Sequence, residues 1–243
     1  MTAQSKQKIV LDGQEVEYAF RRSRRARHVH FEINACTGLV VVVPQRCSAS
    51  SVPALMEGKK HWILKNIDRY TGYEHPFENG HLQQGDNIPY LGRDLEIVFS
   101  IDHADTDGVI LDDDRLLLQS KQLDNGTAAQ TIKQWLRDQA KMFIPGRVDE
   151  LASRLGLTYN RVSIRGQKSR WGSCSSKKNI NLNWKLIMTP PHIIDYTIVH
   201  ELLHLRQMNH SKAFWNLVAE YYPQWREYRK WLKDHAGYLL VDA

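Results

Sequence analysis

The segment IVHELLHLRQMNHSKAFW, residues 198–215, contains three histidines and a glutamate that lies directly after the first of them. Residues four apart on an α-helix are close in space, about 40° apart around the axis, so the imidazoles of His200 and His204 can bind one ion. Glu201 then points beside the ion, which suits a base that takes a proton from water held there. The segment therefore predicts a metal-dependent hydrolytic site. The alternative is that the histidines only form hydrogen bonds along a helix surface.

A helix must carry this motif, and the flanking sequence predicts one. Thr189 suits an N-cap, and Pro190 suits the first helical position, so the helix is expected to run from there through Gln207. Apolar residues recur along it at helical spacing and form a stripe that leaves the histidines on another face. These residues are Ile194, Ile198, Leu202 and Leu205.

A break in the helix near residues 207–209 is expected to turn the chain back over the site. We expect Asn209 to adopt a left-handed conformation, which brings His210 back as a third ligand, and Ser211 to cap the next helix. Three nitrogen ligands leave one position of a tetrahedral zinc open for water, as in catalytic sites. The predicted cofactor is therefore Zn²⁺, although another divalent cation would suit the same residues. Glu220, on the following helix, is the alternative third ligand.

The composition is that of a folded protein with one large domain or two small ones: 243 residues, 42% hydrophobic and 25% charged. The N-terminal residues lack the apolar run of a signal peptide, and no stretch of about 18 apolar residues could span a membrane. A cytoplasmic location is expected. Cys36, Cys47 and Cys174 contain no C-x-x-C pair, which predicts reduced thiols and neither a disulfide framework nor a thiolate zinc site.

Positive charge is concentrated near the N-terminus, although the net charge of +6 is mild. The cluster consists of Arg21, Arg22, Arg24, Arg25 and Arg27. Such a run can bind phosphates or nucleic acid, but alternate positions of a strand also place several arginines on one solvated face. The cluster alone does not decide between these interpretations.

Hydrophobic patterning predicts an α+β protein. Residues 1–125 are expected to form a β-rich N-terminal region, interrupted by one helix from Val52 to Ile67. Residues 126–243 are expected to form a catalytic domain that begins with a long amphipathic helix, which continues with a kink at Pro145 towards Leu155. A hairpin-like polar segment and two or three further helices are expected to follow.

With these residues in hand, the chain resembles the YgjP-like metal-dependent hydrolases, a bacterial family of the zincin type. The matching stretches are RWGSCSSKKNINLNWKLIMTPPHIIDYTIVHELLHLRQMNHSKAFW, PQWREYRKWLK and the arginine-rich opening through GLVVVVP. The resemblance covers nearly the whole chain. It implies a C-terminal zincin-like, largely helical metallohydrolase domain with a small sheet, in which zinc is bound through His200, His204 and His210 and Glu201 is catalytic.

The resemblance also suggests where a substrate binds. It implies that NINLNWKL is the sheet edge beside the active-site helix, along which zincins commonly hold an extended substrate by strand addition. Asn181 and Asn183 would then line the cleft, or the segment only packs a core face. Arg165, Lys168 and Arg170 either contact an anionic substrate or are solvated.

Three functions are compatible with the sequence. The first is a zinc-dependent peptidase, the label usually attached to the resembled family. The second keeps the metal centre but hydrolyses a nucleoside triphosphate such as UTP to the monophosphate and pyrophosphate, an activity also attached to such proteins and consistent with the basic residues. The third, ranked last, is a nucleic-acid or partner-binding module built on residues 21–27, because no recognition motif accompanies the arginines.

Overall fold

The computed structural model describes residues 6–34, 38–67, 77, 82–100, 108–119 and 125–240. Cys36 lies outside these ranges, whereas Cys47 and Cys174 are free thiols, as predicted. The chain divides into two compact units, residues 1–75 and 76–243. Within the described ranges, no helix has both the length and the apolar character that a membrane crossing requires.

The first unit is a four-stranded sheet with two short helices. Its strands are β1 (Gln7–Leu11), β2 (Gln14–Ser23), β3 (His30–Asn34) and β4 (Gly38–Pro44), and its helices are α1 (Val52–Glu57) and α2 (Lys60–Ile67). The strand order is β1-β2-β4-β3, with β2 and β4 parallel. The apolar run at residues 39–43 is buried throughout, as expected for a central strand. The helix predicted from Val52 to Ile67 is thus two helices, which part at Gly58, a poor helix former.

The arginine cluster, residues 21–27, lies on the surface of this first unit. All five guanidinium-bearing residues are exposed. Arg21 forms an ion pair with Glu32 on β3, with Nη2 3.1 Å from Oε2. An exposed ion pair contributes little to stability. Binding of nucleic acid by this cluster stays a prediction.

The second unit contains two sheets and four longer helices. One sheet has the order β5-β6-β8-β7 and the other the order β10-β11-β9. The strands are β5 (Asn87–Tyr90), β6 (Arg93–Ser100), β7 (Gly108–Asp112), β8 (Arg115–Gln119), β9 (Arg161–Arg165), β10 (Gly172–Cys174) and β11 (Asn179–Asn183). The helices are α3 (Asn125–Arg154), α4 (Pro191–Leu203), α5 (Lys212–Tyr221) and α6 (Trp225–Leu239), with a 3-10 helix at Trp184–Met188. The α+β architecture is confirmed.

Helix α3 is continuous through Pro145, as predicted. It buries a stripe with a spacing of four residues, formed by Ile132, Leu136, Ala140, Ile144 and Val148. This stripe shares one hydrophobic core with residues of β5, β6 and β8 before it and with β11 and α4 after it. The division of the chain into two compact units falls between residues 75 and 76, whereas residue 126 lies at the beginning of a helix inside the second unit. The domain division at residue 126 stays a prediction.

Helix α4 carries the histidine motif and is buried on almost all sides, instead of along one stripe. Ile194, Ile198 and Leu202 are buried as predicted, but Tyr196, Thr197 and Val199 are buried as well. Arg147 on α3 binds Asp195 with both ends of its guanidinium group, at 2.6 and 2.7 Å. Bidentate pairs of this kind fix orientation as well as position. The helix therefore holds its polar residues in a defined rotation within the core.

Candidate metal centre

The three predicted histidines lie together at the C-terminal end of α4. One nitrogen from each of His200, His204 and His210 lies within 4.8 Å of the others. The Nε2 atoms of His200 and His210 are 3.0 Å apart, close to the separation of about 3.3 Å expected for two nitrogens on one tetrahedral zinc. Two imidazole nitrogens at this distance need a proton or a cation between them. Glu220, the alternative third ligand, is exposed on α5 and outside this cluster.

The backbone orients one of the imidazoles for binding. The Nδ1 atom of His204 lies 3.0 Å from the carbonyl oxygen of Gln207, so Nδ1 carries the proton and donates it to that oxygen. The lone pair of His204 is then on Nε2, the atom free to bind a cation. Metal-binding histidines commonly use such a bond to fix the tautomer and the orientation of the ring.

Aromatic residues at the beginning of α5 pack against the histidines. Phe214 stacks on His204 at 4.4 Å between ring centroids and meets His200 edge to face at 4.9 Å. Trp215 lies 5.5 Å from His210 by the same measure. The Ser211 side chain caps this helix by accepting from the Phe214 amide, as predicted. The capped helix therefore limits the rotamers open to all three imidazoles.

The chain reversal between His204 and His210 uses a side chain. Asn209 does not have a positive φ, so the predicted left-handed conformation is wrong. Its Oδ1 instead accepts hydrogen bonds from the Ser211 amide at 3.2 Å and from Gln207 Nε2 at 2.8 Å. Such an Asx turn reverses the chain through the side-chain oxygen, so a left-handed backbone is not needed.

The environment keeps the imidazoles neutral. Burial is the main cause that lowers the pKa of His200 to about 3, and the neighbouring His204 and His210 and the charge of Arg229 contribute to the same shift. Burial also lowers the pKa of His204 and of His210. Neutral imidazole is the form that binds metal ions. The donor set, three neutral nitrogens aimed at one point, therefore suits a divalent cation such as zinc.

Glu201 lies beside the histidines and is almost fully buried, with 6% of its surface exposed. Burial raises its pKa to about 8, and the charge of Arg170 opposes this effect. None of the described residues forms an ion pair with the carboxylate, which faces the cavity described below. A carboxylate with a pKa near neutrality is well matched to general acid–base chemistry.

The carboxylate of Glu201 lies directly against Gly172 on β10. A Cβ atom at position 172 would lie 2.6 Å from Oε1 and 2.7 Å from Cγ of Glu201, closer than side chains can approach. Gly172 therefore provides the space that the glutamate occupies. The sequence signal for this contact is the glycine of RWGSCS.

Substitution of Gly172 by alanine is expected to lower hydrolytic activity by about 10²-fold, because the methyl group displaces Glu201 by a distance that disrupts catalytic geometry. Gly146→Ala is the matched control, since an added Cβ there has no atom within 4 Å. Activity of both variants should be measured alongside their metal content and thermal unfolding. Full activity of a folded Gly172→Ala variant would disprove the positioning role.

The strand NINLNWKL is not a sheet edge. Its residues in β11 pair in parallel with β9 on one side and antiparallel with β10 on the other, so the predicted edge is wrong. The parallel partner, β9, comes from a segment 18 residues earlier in the chain, since Asn179 is paired with Arg161. The edge strand next to α4 is therefore β10.

The two asparagines of β11 bind protein groups. Asn183 is fully buried, and its Nδ2 donates to the carbonyl oxygens of Gln167 at 2.7 Å and Arg170 at 3.1 Å. Asn181 donates to the Ser173 hydroxyl across the strand pair. Asn183 therefore holds in place the loop that leads into Gly172. A direct contact of either asparagine with a substrate stays a proposal.

A cavity of about 760 Å³ opens beside the histidines. Glu201, His200 and His210 line it, and Arg170 is the one predicted substrate-binding residue that also does. Arg165 and Lys168 are exposed outside this lining. The lining residues that the sequence did not predict include Tyr196 on α4, Trp215 on α5, and Arg229 and Lys233 on α6.

The site combines three imidazoles with a buried carboxylate in a unit of helices and sheets. This combination is typical of metal-dependent hydrolases. The chain belongs to the YgjP-like family: the family described as YgjP-like, metallopeptidase domain, matches residues 27–235. Membership of this family implies a divalent metal ion and hydrolytic chemistry.

Two solved structures show a local similarity to the chain. They are the metallopeptidase zymogens abylysin of Pyrococcus abyssi, at 22% identity, and jannalysin of Methanocaldococcus jannaschii, at 25% identity. Each similarity covers 37% of this chain and 93% of the solved chain, with a TM-score of 0.34. No curated protein sequence matches the chain.

Proposed function

We propose that this protein is a zinc-dependent peptidase in which His200, His204 and His210 hold the metal and Glu201 is the general base. The observation that carries the proposal is that nitrogens of the three imidazoles lie within 4.8 Å of one another, and that two of these residues, His200 and His210, border one cavity together with the buried carboxylate of Glu201. The membership in a metallopeptidase family supports a peptide as substrate.

The residues divide the chemistry between them. A bound divalent cation supplies a Lewis acid, which polarises a carbonyl oxygen and lowers the pKa of water. Glu201 takes the proton from the attacking water and, once protonated, gives it to the leaving amine. The low-dielectric surroundings that raise the pKa of Glu201 to about 8 favour both steps, because the group can hold and release a proton near neutral pH.

The edge strand β10 offers a place for an extended peptide. It pairs with β11 on one side only, and its first residue, Gly172, lies against Glu201. Main-chain groups on the free side of an edge strand can hydrogen bond to a peptide that adds as a further strand. A peptide bound in this way runs next to the proposed general base.

A nucleoside triphosphate such as UTP is the second candidate substrate. The observation in its favour is that Arg170, Arg229 and Lys233 line the cavity and can bind phosphate oxygens. Attack of water on phosphorus would use the same cation and the same base.

A substrate panel tests the proposal. Zinc-loaded protein is given a mixed peptide library and the common nucleoside triphosphates, and products are separated by mass spectrometry. We expect peptide cleavage that stops when a chelator removes the metal and returns when zinc is restored. Cleavage confined to nucleoside triphosphates would overturn the peptidase assignment, and cleavage that persists in the Glu201→Gln variant would overturn the mechanism.

A further inference from the structure

We propose that Arg229, with Lys233 and Arg170 nearby, binds a carboxylate of the peptide, so that the enzyme prefers substrates with a free carboxylate beside the scissile bond. The inference rests on the proposed peptidase function and names its substrate class. The carboxylate can come from the C-terminus of a short peptide or from an aspartate or glutamate side chain. These two sources present the same chemistry.

Arg229 is held beside the metal-binding histidines by stacked aromatic rings. Its guanidinium carbon lies 5.0 Å from the centre of the Trp215 ring, and Trp215 stacks on Trp225 at 4.2 Å with planes 16° apart. Trp215 in turn lies 5.7 Å from His200 between ring centroids. A guanidinium group stacked on an aromatic face is fixed in position and loses little entropy when it binds a ligand.

Arg229 lies close to the histidines. Arg229, His200 and His210 line the same cavity. The Trp215 ring under the guanidinium group lies 5.7 Å from His200 and 5.5 Å from His210 between ring centroids. A carboxylate bound by Arg229 would therefore lie close to the histidines.

The basic side chains of the cavity form no ion pairs within the part of the chain that the structure describes. No carboxylate there forms an ion pair with Arg229, Lys233 or Arg170. Lys230, one residue after Arg229, behaves differently, since it binds Asp234 at 2.8 Å. Among the described residues that line the cavity, Glu201 is the only acidic one, and it is buried. The cavity wall thus carries an excess of positive charge that an anionic group of the substrate can neutralise.

Carboxylate is the partner that best suits a peptidase cavity of this charge. A guanidinium group binds a carboxylate through two parallel hydrogen bonds, which fixes the direction of the peptide as well as its position. Lys233 and Arg170 add positive charge to the same cavity wall. The distance between the bound carboxylate and the three histidines would then determine which peptide bond of the substrate is cleaved.

Matched peptides test the inference. The best substrate of the panel is prepared in four forms: with a free or amidated C-terminus, and with an acidic residue or its amide near the cleaved bond. Arg229→Gln is expected to lower kcat/KM for the carboxylate-bearing forms by about 10- to 100-fold, mostly through KM, because a uniform binding contact is lost. The same substitution should change kcat/KM for the fully amidated form by less than about threefold.

Arg226→Gln is the matched control, because Arg226 lies on the same helix, packs over Trp225 at 4.6 Å and does not line the cavity. It should leave all four values unchanged. Arg229→Lys should retain part of the preference, and Arg229→Glu should reverse it in favour of peptides with lysine or arginine at that place. These two variants keep the test decisive if the glutamine variant folds poorly.

The four forms also identify the source of the carboxylate. A preference for the free C-terminus assigns the site to the terminal carboxylate, and a preference for the acidic residue assigns it to a side chain. Equal kcat/KM for all four forms, with metal-dependent peptide cleavage intact, would overturn this inference and leave the peptidase function standing. Absence of metal-dependent cleavage of any peptide would overturn both.

Discussion

Replacement of Glu201 by glutamine is expected to lower kcat by about 10²- to 10⁴-fold and to leave the bound metal in place. The amide has the shape of the carboxylate and fits the same space against Gly172, but it cannot accept the proton of the attacking water. Because Glu201 lies beside the three histidines of the proposed metal site and is not part of their cluster, metal affinity should change little. The turnover number for the best substrate measures the loss of activity, and elemental analysis measures the zinc content.

Glu220→Gln is the control for this experiment. Glu220 is an exposed carboxylate on α5, so its loss should affect neither turnover nor metal content. A loss of zinc in Glu220→Gln would make it a ligand after all, and turnover that survives in Glu201→Gln would require a different base. Both results are accessible with the same preparations.

Loss of one imidazole is expected to remove the metal. His204→Ala should weaken zinc binding by more than about 100-fold, since loss of a supporting hydrogen bond to a ligand already costs about 10- to 100-fold and here the ligand itself is absent. Hydrolysis should fall in parallel. Zinc affinity measured by competition with a chromophoric chelator, together with zinc content after dialysis, tests this expectation.

Two further variants make the result interpretable. His210→Ala removes a proposed ligand that is exposed, so the stack of His204 on Phe214 stays in place. Loss of zinc from this variant would therefore be due to the missing ligand and not to a disturbed core. His192→Ala is the control, because His192 is exposed near the beginning of α4 and is not part of the three-histidine cluster. Normal zinc content in both ligand variants would disprove the metal centre.

Local patterns in the sequence were sufficient to predict the centre of the site. The spacing of His200 and His204 depends only on the geometry of one helix, and the Ser211 cap depends only on the residues that follow it. The conformation of Asn209 was harder to predict, because an asparagine can reverse the chain through its backbone or through its side chain. Sequence alone does not distinguish these two solutions.

The surroundings of the site depend on contacts between distant segments. The order β10-β11-β9 arises from pairing of Asn179–Asn183 with Arg161–Arg165, and the strand pattern does not reveal which side remains an edge. Arg229 and Lys233 reach the cavity from α6, where the spacing alone indicates only an exposed face. The change of pattern near residue 126 similarly marks the beginning of α3, although its buried stripe belongs to the same core as the preceding sheet.

The three histidines lie within eleven consecutive residues, His200 to His210. A cation bound to them closes only one short loop between the end of α4 and the beginning of α5, and the chain entropy gained by closing so short a loop is small. The core that holds α4 against α3 is formed by apolar packing and by the Arg147–Asp195 pair, away from the imidazoles. Removal of the metal should therefore abolish activity without unfolding the domain, so that apoprotein can be prepared, stored and reloaded with a chosen cation.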